Sequence, residues 1–140
     1  MEIKLLSGAL GAEIKGINLK DTSEENFKKI NDLLLEHKVI FFRDQLINAE
    51  EHIALAEKFG PLETHEYVKG LEKYPEIVRI IKAEDEQNQW GENWHSDVSY
   101  NAKPTKAVIL KSIKIPPVGG DTCFSNMELA WETLDKDIKD

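Results

Sequence analysis

The chain has 140 residues, the length of one ordinary domain. Leu, Ile, Val and Phe make up more than a quarter of it, well above the level at which disorder is expected. Its 18 basic against 26 acidic side chains give a formal charge of −8, the wrong sign for a phosphate-backbone binder, so nucleic acid is not an expected partner. Apolar runs such as Val39 to Phe42 are far too short to cross a bilayer. The opening MEIKLLSGAL lacks the basic and apolar regions of a signal peptide, and a lone cysteine, Cys123, excludes an internal disulfide framework. A soluble cytoplasmic protein without a membrane partner is expected.

Short extended pieces open the chain, Glu2 to Leu6 and Ala12 to Leu19, punctuated by Gly8, Gly11 and Gly16. Thr22-Ser23-Glu24-Glu25 has the spacing of a capping box, and Phe27, Ile30, Leu33 and Leu34 then recur at helical spacing. Val39-Ile40-Phe41-Phe42 is β-branched and aromatic and predicts a buried strand. A second helix starts near Asn48, with Glu51 placed to complete its cap, His52, Ala56 and Phe59 on one face, and Gly60-Pro61 ending it. Ile77 to Lys82 and Ala107 to Leu110 predict further strands, separated by a polar stretch from Ala83 to Asn93 whose Glu84-Asp85-Glu86 run reads as a solvated face. Pro116-Pro117-Val118-Gly119-Gly120 is a turn, Thr122 to Phe124 starts another strand, and Ser125-Asn126-Met127-Glu128 caps a helix through Leu134. No repeat or linker divides the chain, so residues 1–140 are taken as one domain without an internal boundary. The class is α+β, mainly β, on an antiparallel sheet, with too few strands for a closed barrel or an eight-stranded jelly roll.

Asn93-Trp94-His95-Ser96-Asp97 carries the chemistry. In extended backbone, residues i and i+2 point to the same side, so His95 and Asp97 can aim an imidazole nitrogen and a carboxylate oxygen at one point. That is two thirds of the 2-His-1-carboxylate set that holds non-haem Fe(II). The plain alternative is a surface loop in which Asp97 accepts a hydrogen bond from His95. Trp94 alternates with His95 and is expected to face the core. His37 closes the first helix, where a cation suits the macrodipole. His52 reads as a partly buried surface residue, Arg43 as the partner of Asp44 or another carboxylate, and Cys123 as an inert core thiol.

The chain resembles the TauD/TfdA family of Fe(II)- and 2-oxoglutarate-dependent dioxygenases in five segments that keep the family's order. They are Leu10-Gly11-Ala12-Glu13-Ile14-Lys15-Gly16, Val39 to Gln45, Phe59-Gly60-Pro61-Leu62, Trp94-His95-Ser96-Asp97-Val98-Ser99-Tyr100 and Gly119-Gly120-Asp121-Thr122. The resemblance puts His95 and Asp97 on two metal ligands and Thr122 on the hydroxyl that bonds the distal carboxylate of 2-oxoglutarate. It puts His65 where taurine-type members contact the substrate's anionic group, against the alternative of a solvated loop histidine. Val68 stands where those members carry a tyrosine, so taurine itself is not implied. Asn93 flanks the metal loop and lines the mouth of the expected pocket.

The resemblance implies the N-terminal half of a double-stranded β-helix (jelly roll). Its third iron ligand, a histidine, and the arginines that neutralise 2-oxoglutarate lie further downstream in the family, and after Asp97 this chain has neither residue type. The implied activity is hydroxylation of a small, anionic organic substrate such as a sulfonate by O2, with 2-oxoglutarate converted to succinate and CO2. The missing half would come from a second chain, and self-association into a homo-oligomer is the other route to covering the open faces. The competing expectation is a truncated, non-catalytic remnant or an interaction module that needs a partner chain.

Overall fold

In the computed structural model, which describes residues 1–83 and 93–139, ordered pairing starts at the N-terminus. Strand β1 (Glu2–Leu5) runs antiparallel to β2 (Ala12–Lys15), with Ile3 opposite Ile14 and Lys15 paired to Glu2 at 3.2 Å. Ser7 closes the connection: its hydroxyl donates to the Leu10 carbonyl at 2.6 Å and accepts from the Ala9 and Leu10 amides. Helix α1 (Glu24–His37) then crosses over to β3 (Ile40–Phe41), which lies parallel to β2 with Ala12 opposite Ile40. The sheet order is β1-β2-β3. It is therefore mixed rather than antiparallel, because a helix between two strands allows the parallel return that a tight turn forbids.

The helices follow the sequence closely. Helix α1 is capped by Ser23, one residue later than the expected Thr22, with the Ser23 hydroxyl accepting from the Asn26 amide. Asn26 occupies the position of the expected glutamate, and its side-chain amide donates instead to the carbonyls of Asn18 and Asp21. Helix α2 (Ala49–Glu57) carries the full reciprocal cap of Asn48 and Glu51, at 2.8 and 2.7 Å. Asn126 caps α3 (Met127–Thr133), and a short α4 (Lys136–Lys139) occupies the expected charged stretch. The Glu84-Asp85-Glu86 run lies outside the described residues.

The strands are where expectation and structure part. Ile77 to Lys82, Ala107 to Leu110 and Thr122 to Phe124 carry no ladder, and β3 is half-buried rather than buried. Sequence specifies that a segment favours extended backbone, but a strand also needs a neighbour to satisfy its amides and cover its faces. Among the described residues those neighbours are absent.

The chain divides into two compact units. The first, residues 1–47 and 111–140, holds the sheet, α1, α3 and α4. Its buried core is Ala12, Ile14, Ile17, Leu19, Ile30, Leu33 and Ile47. Phe41 and Phe124 meet edge to face at 6.3 Å, Asn126 donates to the Ala9 carbonyl, and the Lys111 ammonium donates to the Ile47 carbonyl. The second unit, residues 48–110, buries only Leu55 among its described residues. It is held mainly by polar ties: His52 Nε2 to the Ile109 carbonyl at 3.1 Å, Thr105 to Glu63 at 2.9 Å, Lys73 and the Tyr74 hydroxyl to Glu50, and Lys106 over the Phe59 ring.

Past Leu55 no described residue is buried. Ile113 and Val118 are 81% and 87% exposed, and Ile115, Leu110, Ile80, Ile81 and Trp131 also face outward. Full burial of such a side chain contributes about 1.5–3 kcal/mol, a gain these residues do not realise in this chain. Cys123 is exposed for the same reason, against the expectation of a core thiol.

Arg43 finds its carboxylate across the sheet, on Glu13 of β2 at 3.1 Å, rather than on Asp44. Hydrogen bonding to the Arg43 guanidinium holds the Glu13 carboxyl below the usual glutamate range. The folded value lies below the unfolded one, so the pair's stabilising contribution is complete above the ordinary carboxylate range. It is lost as pH falls through the lowered Glu13 value. Arg43→Gln is expected to return the Glu13 titration, followed by carboxyl-carbon NMR, to the ordinary range, and an unmoved titration would refute the pairing. Removing the α2 cap with Asn48→Ala is expected to cost about 1 kcal/mol, read as a lower denaturant midpoint with an unchanged m-value.

Candidate metal centre

The segment from Asn93 to Asp97 has no regular secondary structure, and a turn follows over residues 97–100. The structure brings three of its groups together. His95 Nδ1 lies 2.7 Å from the Asn93 carbonyl oxygen, which can only accept, so Nδ1 carries the hydrogen. His95 Nε2 lies 3.1 Å from Asp97 Oδ1. The imidazole is thus clamped on one nitrogen and presents the other to the carboxylate. Both side chains are more than half exposed, so the pair is open to solvent and to an incoming ion.

His95 is pushed above the ordinary histidine value, first by its bond to the Asn93 carbonyl and then by the Asp97 charge, with partial desolvation opposing. Without a metal, the pair favours the protonated ring facing the Asp97 carboxylate. Its stabilising contribution is present below the ordinary histidine value and is lost as pH rises through the raised one.

The donor set fits a divalent metal. With bonds of about 2.1 Å meeting at roughly a right angle, two cis ligands sit about 3.0 Å apart, and the Nε2–Oδ1 separation of 3.1 Å matches. Metal-binding histidines usually donate their other ring N–H to a carbonyl or carboxylate, which fixes the tautomer. The Asn93 carbonyl is placed to accept that bond. No cluster of three or more His, Cys, Asp or Glu able to hold a metal occurs among the described residues.

Val98 follows Asp97 with φ of +50°. Its carbonyl accepts from the Asn101 amide at 3.2 Å, closing a turn whose central residues are Ser99 and Tyr100. A β-branched residue in this region is a conformational outlier that costs on the order of 1–3 kcal/mol.

The other expected site residues are distributed as follows. His65 stands half-buried in the same unit, its Nδ1 accepting from the Tyr67 and Val68 amides at 3.1 and 3.2 Å, so neutral His65 carries its hydrogen on Nε2. Asn93 is exposed and enters the geometry through its main-chain carbonyl. Thr122 lies in the first unit, exposed, just beyond Gly119 and Gly120. Those glycines adopt φ of +77° and +72°, values that side-chain-bearing residues reach only with strain. Trp94 is 72% exposed rather than core-facing, because the alternation that aims His95 outward meets no covering layer on the other side.

The family profile described as "Taurine catabolism dioxygenase TauD, TfdA family" matches residues 2–140. The chain belongs to the TauD/TfdA family. A relative from Acinetobacter baylyi described as an alkylsulfatase is 36% identical over 143 residues, covering 99% of this chain and 44% of its own length. An alpha-ketoglutarate-dependent sulfate ester dioxygenase from Pseudomonas putida is 30% identical, covering 100% of this chain and 46% of its own. Among solved structures, a taurine dioxygenase from Burkholderia xenovorans superposes with a TM-score of 0.82 at 33% identity, covering 99% of this chain and 49% of that one. The chain thus spans about half the length of the relatives it matches. Its limited sheet and uncovered apolar segments are what a portion of that fold looks like. Among the described residues, no helix of this TauD/TfdA chain is long and apolar enough to cross a membrane.

Sequence reasoning missed two contributors. The His52 tie to the Ile109 carbonyl had no signal beyond helical position, and the Asn93 carbonyl had none at all, since every residue carries one. In the metal-free chain, Asp97→Asn is expected to move the His95 titration down toward the ordinary value without reaching it, because the Asn93 carbonyl remains. Histidine ring-proton NMR reads this directly, and no movement would dissolve the pairing.

Proposed function

We propose that this TauD/TfdA chain is the N-terminal portion of an Fe(II)- and 2-oxoglutarate-dependent dioxygenase that hydroxylates a small anionic organic substrate, a sulfonate or sulfate ester being the favoured class. The observation that carries the reading is the clamped imidazole: His95 Nδ1 on the Asn93 carbonyl and Nε2 at 3.1 Å from Asp97 Oδ1. His95 and Asp97 would hold the iron, and the chemistry such an ion supplies is oxygen activation, with 2-oxoglutarate going to succinate and CO2. The substrate class draws support from the names of relatives that act on sulfate esters and sulfonates.

The remaining roles follow from what each side chain can donate. Thr122 offers a hydroxyl hydrogen to the distal carboxylate of 2-oxoglutarate. His65, with two amides on Nδ1, carries an Nε2 hydrogen for an anionic substrate group. Asn93 adds its side-chain amide beside the metal pair. Two ligands hold iron loosely, and a buried keto-acid carboxylate without a cation is costly. The complete site accordingly takes a histidine and an arginine from a further stretch of polypeptide, and both units of this chain belong to one cytoplasmic catalytic domain. The exposed apolar segments past Leu55 equally support a second reading, a non-catalytic remnant or interaction module that needs a partner chain.

Titration with Fe(II) under anaerobic conditions separates the two readings. The parent chain is expected to bind the ion, and His95→Ala and Asp97→Ala are each expected to abolish binding. Unchanged affinity in His95→Ala would remove the metal assignment, and no binding by the parent would favour the non-catalytic reading.

A further inference from the structure

Strand β1 ends the sheet, and among the described residues no strand pairs with its outer edge. All of β1 is exposed, Ile3 at 42% and Leu5 at 63%, although Ala12 and Ile14 beside them in β2 are buried. An open edge of this kind is a template for another strand. The hydrogen-bond phase fixes which groups it offers. The Leu6 amide donates to the Gly11 carbonyl at 2.9 Å, and the register sets Lys4 against Glu13 and Glu2 against Lys15. Amides alternate in direction along an antiparallel strand, so Glu2, Lys4 and Leu6 turn theirs toward β2 while Ile3 and Leu5 turn theirs outward. The side chains alternate too: Glu2 and Lys4 share one face of the sheet, and Ile3 and Leu5 share the other.

We propose that this edge is a self-association surface, on which the β1 strands of two copies pair antiparallel about a two-fold axis through Ile3. With the outward groups on Ile3 and Leu5, a symmetric antiparallel pair can centre on Glu2, Ile3, Lys4 or Leu5. Centred on Glu2 or Lys4, it sets like charges directly opposite one another, which is destabilising. Centred on Leu5, it sets Lys4 against Leu6 and Glu2 against Gly8, so neither charge gains a partner. Centred on Ile3, it sets Glu2 against Lys4 of the second copy and Lys4 against Glu2. Both are non-hydrogen-bonded pairs, the kind whose side chains approach most closely. Ile3 then exchanges hydrogen bonds with its own copy, and the Leu5 amide reaches the Met1 carbonyl. The polar face becomes a row of alternating sign that continues the Lys15–Glu2 pair at 3.2 Å and the Arg43–Glu13 pair at 3.1 Å. The apolar face joins Ile3, already opposite Ile14, to Ile3 of the second copy. A lysine on an edge strand ordinarily deters pairing; Glu2, two residues away on the same face, cancels it in this register alone. The contact is isologous and closes at two copies. It is independent of the metal reading of His95 and Asp97.

Charge reversal tests the register. Sedimentation equilibrium of the parent chain is expected to show a monomer–dimer equilibrium that weakens with added salt. Glu2→Lys and Lys4→Glu are each expected to sediment as monomers where the parent is dimeric, since each variant sets like charges opposite one another on both sides of the axis. Mixed in equal amounts, the two variants are expected to associate, because every charged pair between unlike copies is then opposite in sign. The amide spectrum of α1 serves as the folding control. A monomeric parent or a mixture that stays monomeric would overturn the proposal. So would self-association that persists in both single variants, which would move the contact to the exposed apolar segments past Leu55. NMR of the parent needs no variant. In a sample that mixes isotope-labelled and unlabelled chain, an Overhauser contact between Glu2 Hα and Lys4 Hα of different copies is expected, because these protons face each other across a non-hydrogen-bonded pair. A dimer without that contact overturns the register.

Discussion

Apolar burial that stops at Leu55 governs everything else about this chain. Up to that point the molecule behaves as a folded protein: β2 is paired on both sides, α1 lays Ile30 and Leu33 into the interior, and the caps of α1 and α2 are satisfied. Beyond it, isoleucines, valines and leucines that would form strand faces stand in solvent, and extended segments go unpaired. Hydrophobic burial and ladder formation are cooperative, since a strand gains its hydrogen bonds and its covered face from the same neighbours. Losing the neighbours removes both at once.

The His95–Asp97 pair sits within this second region, yet its geometry does not depend on a core. It is made by two local features: the Asn93 carbonyl on Nδ1 and the i,i+2 spacing of His95 and Asp97. Short-range geometry of that sort persists where long-range packing is incomplete.

How much was legible beforehand follows the range of the interaction involved. Helix positions and the α2 cap rest on contacts within four residues and were readable. The Ser23 cap was misplaced by one residue because Thr22 and Ser23 each carry a hydroxyl able to cap, and the glutamate at the right spacing favours Thr22. The parallel β2–β3 pairing and the Glu13–Arg43 ion pair join residues about thirty positions apart, beyond what periodicity encodes. At the site, His95 and Asp97 were visible as residue types at a telling spacing. The carbonyl that fixes the tautomer was not, being common to every residue, and valine at 98 argues locally against the conformation it adopts.

The amino-acid order alone determined helices α1, α2 and α3, the bend at Pro117-Val118, the family and the imidazole–carboxylate spacing, because each is carried by neighbours along the chain or by a motif of fixed order. Only the tertiary structure decided which extended segments became strands, that the sheet is mixed, that Trp94 and Cys123 face solvent, and that the Asn93 carbonyl holds the His95 ring. Those outcomes depend on which surfaces find a partner in space, and the partner of a surface is not written in the residues that form it.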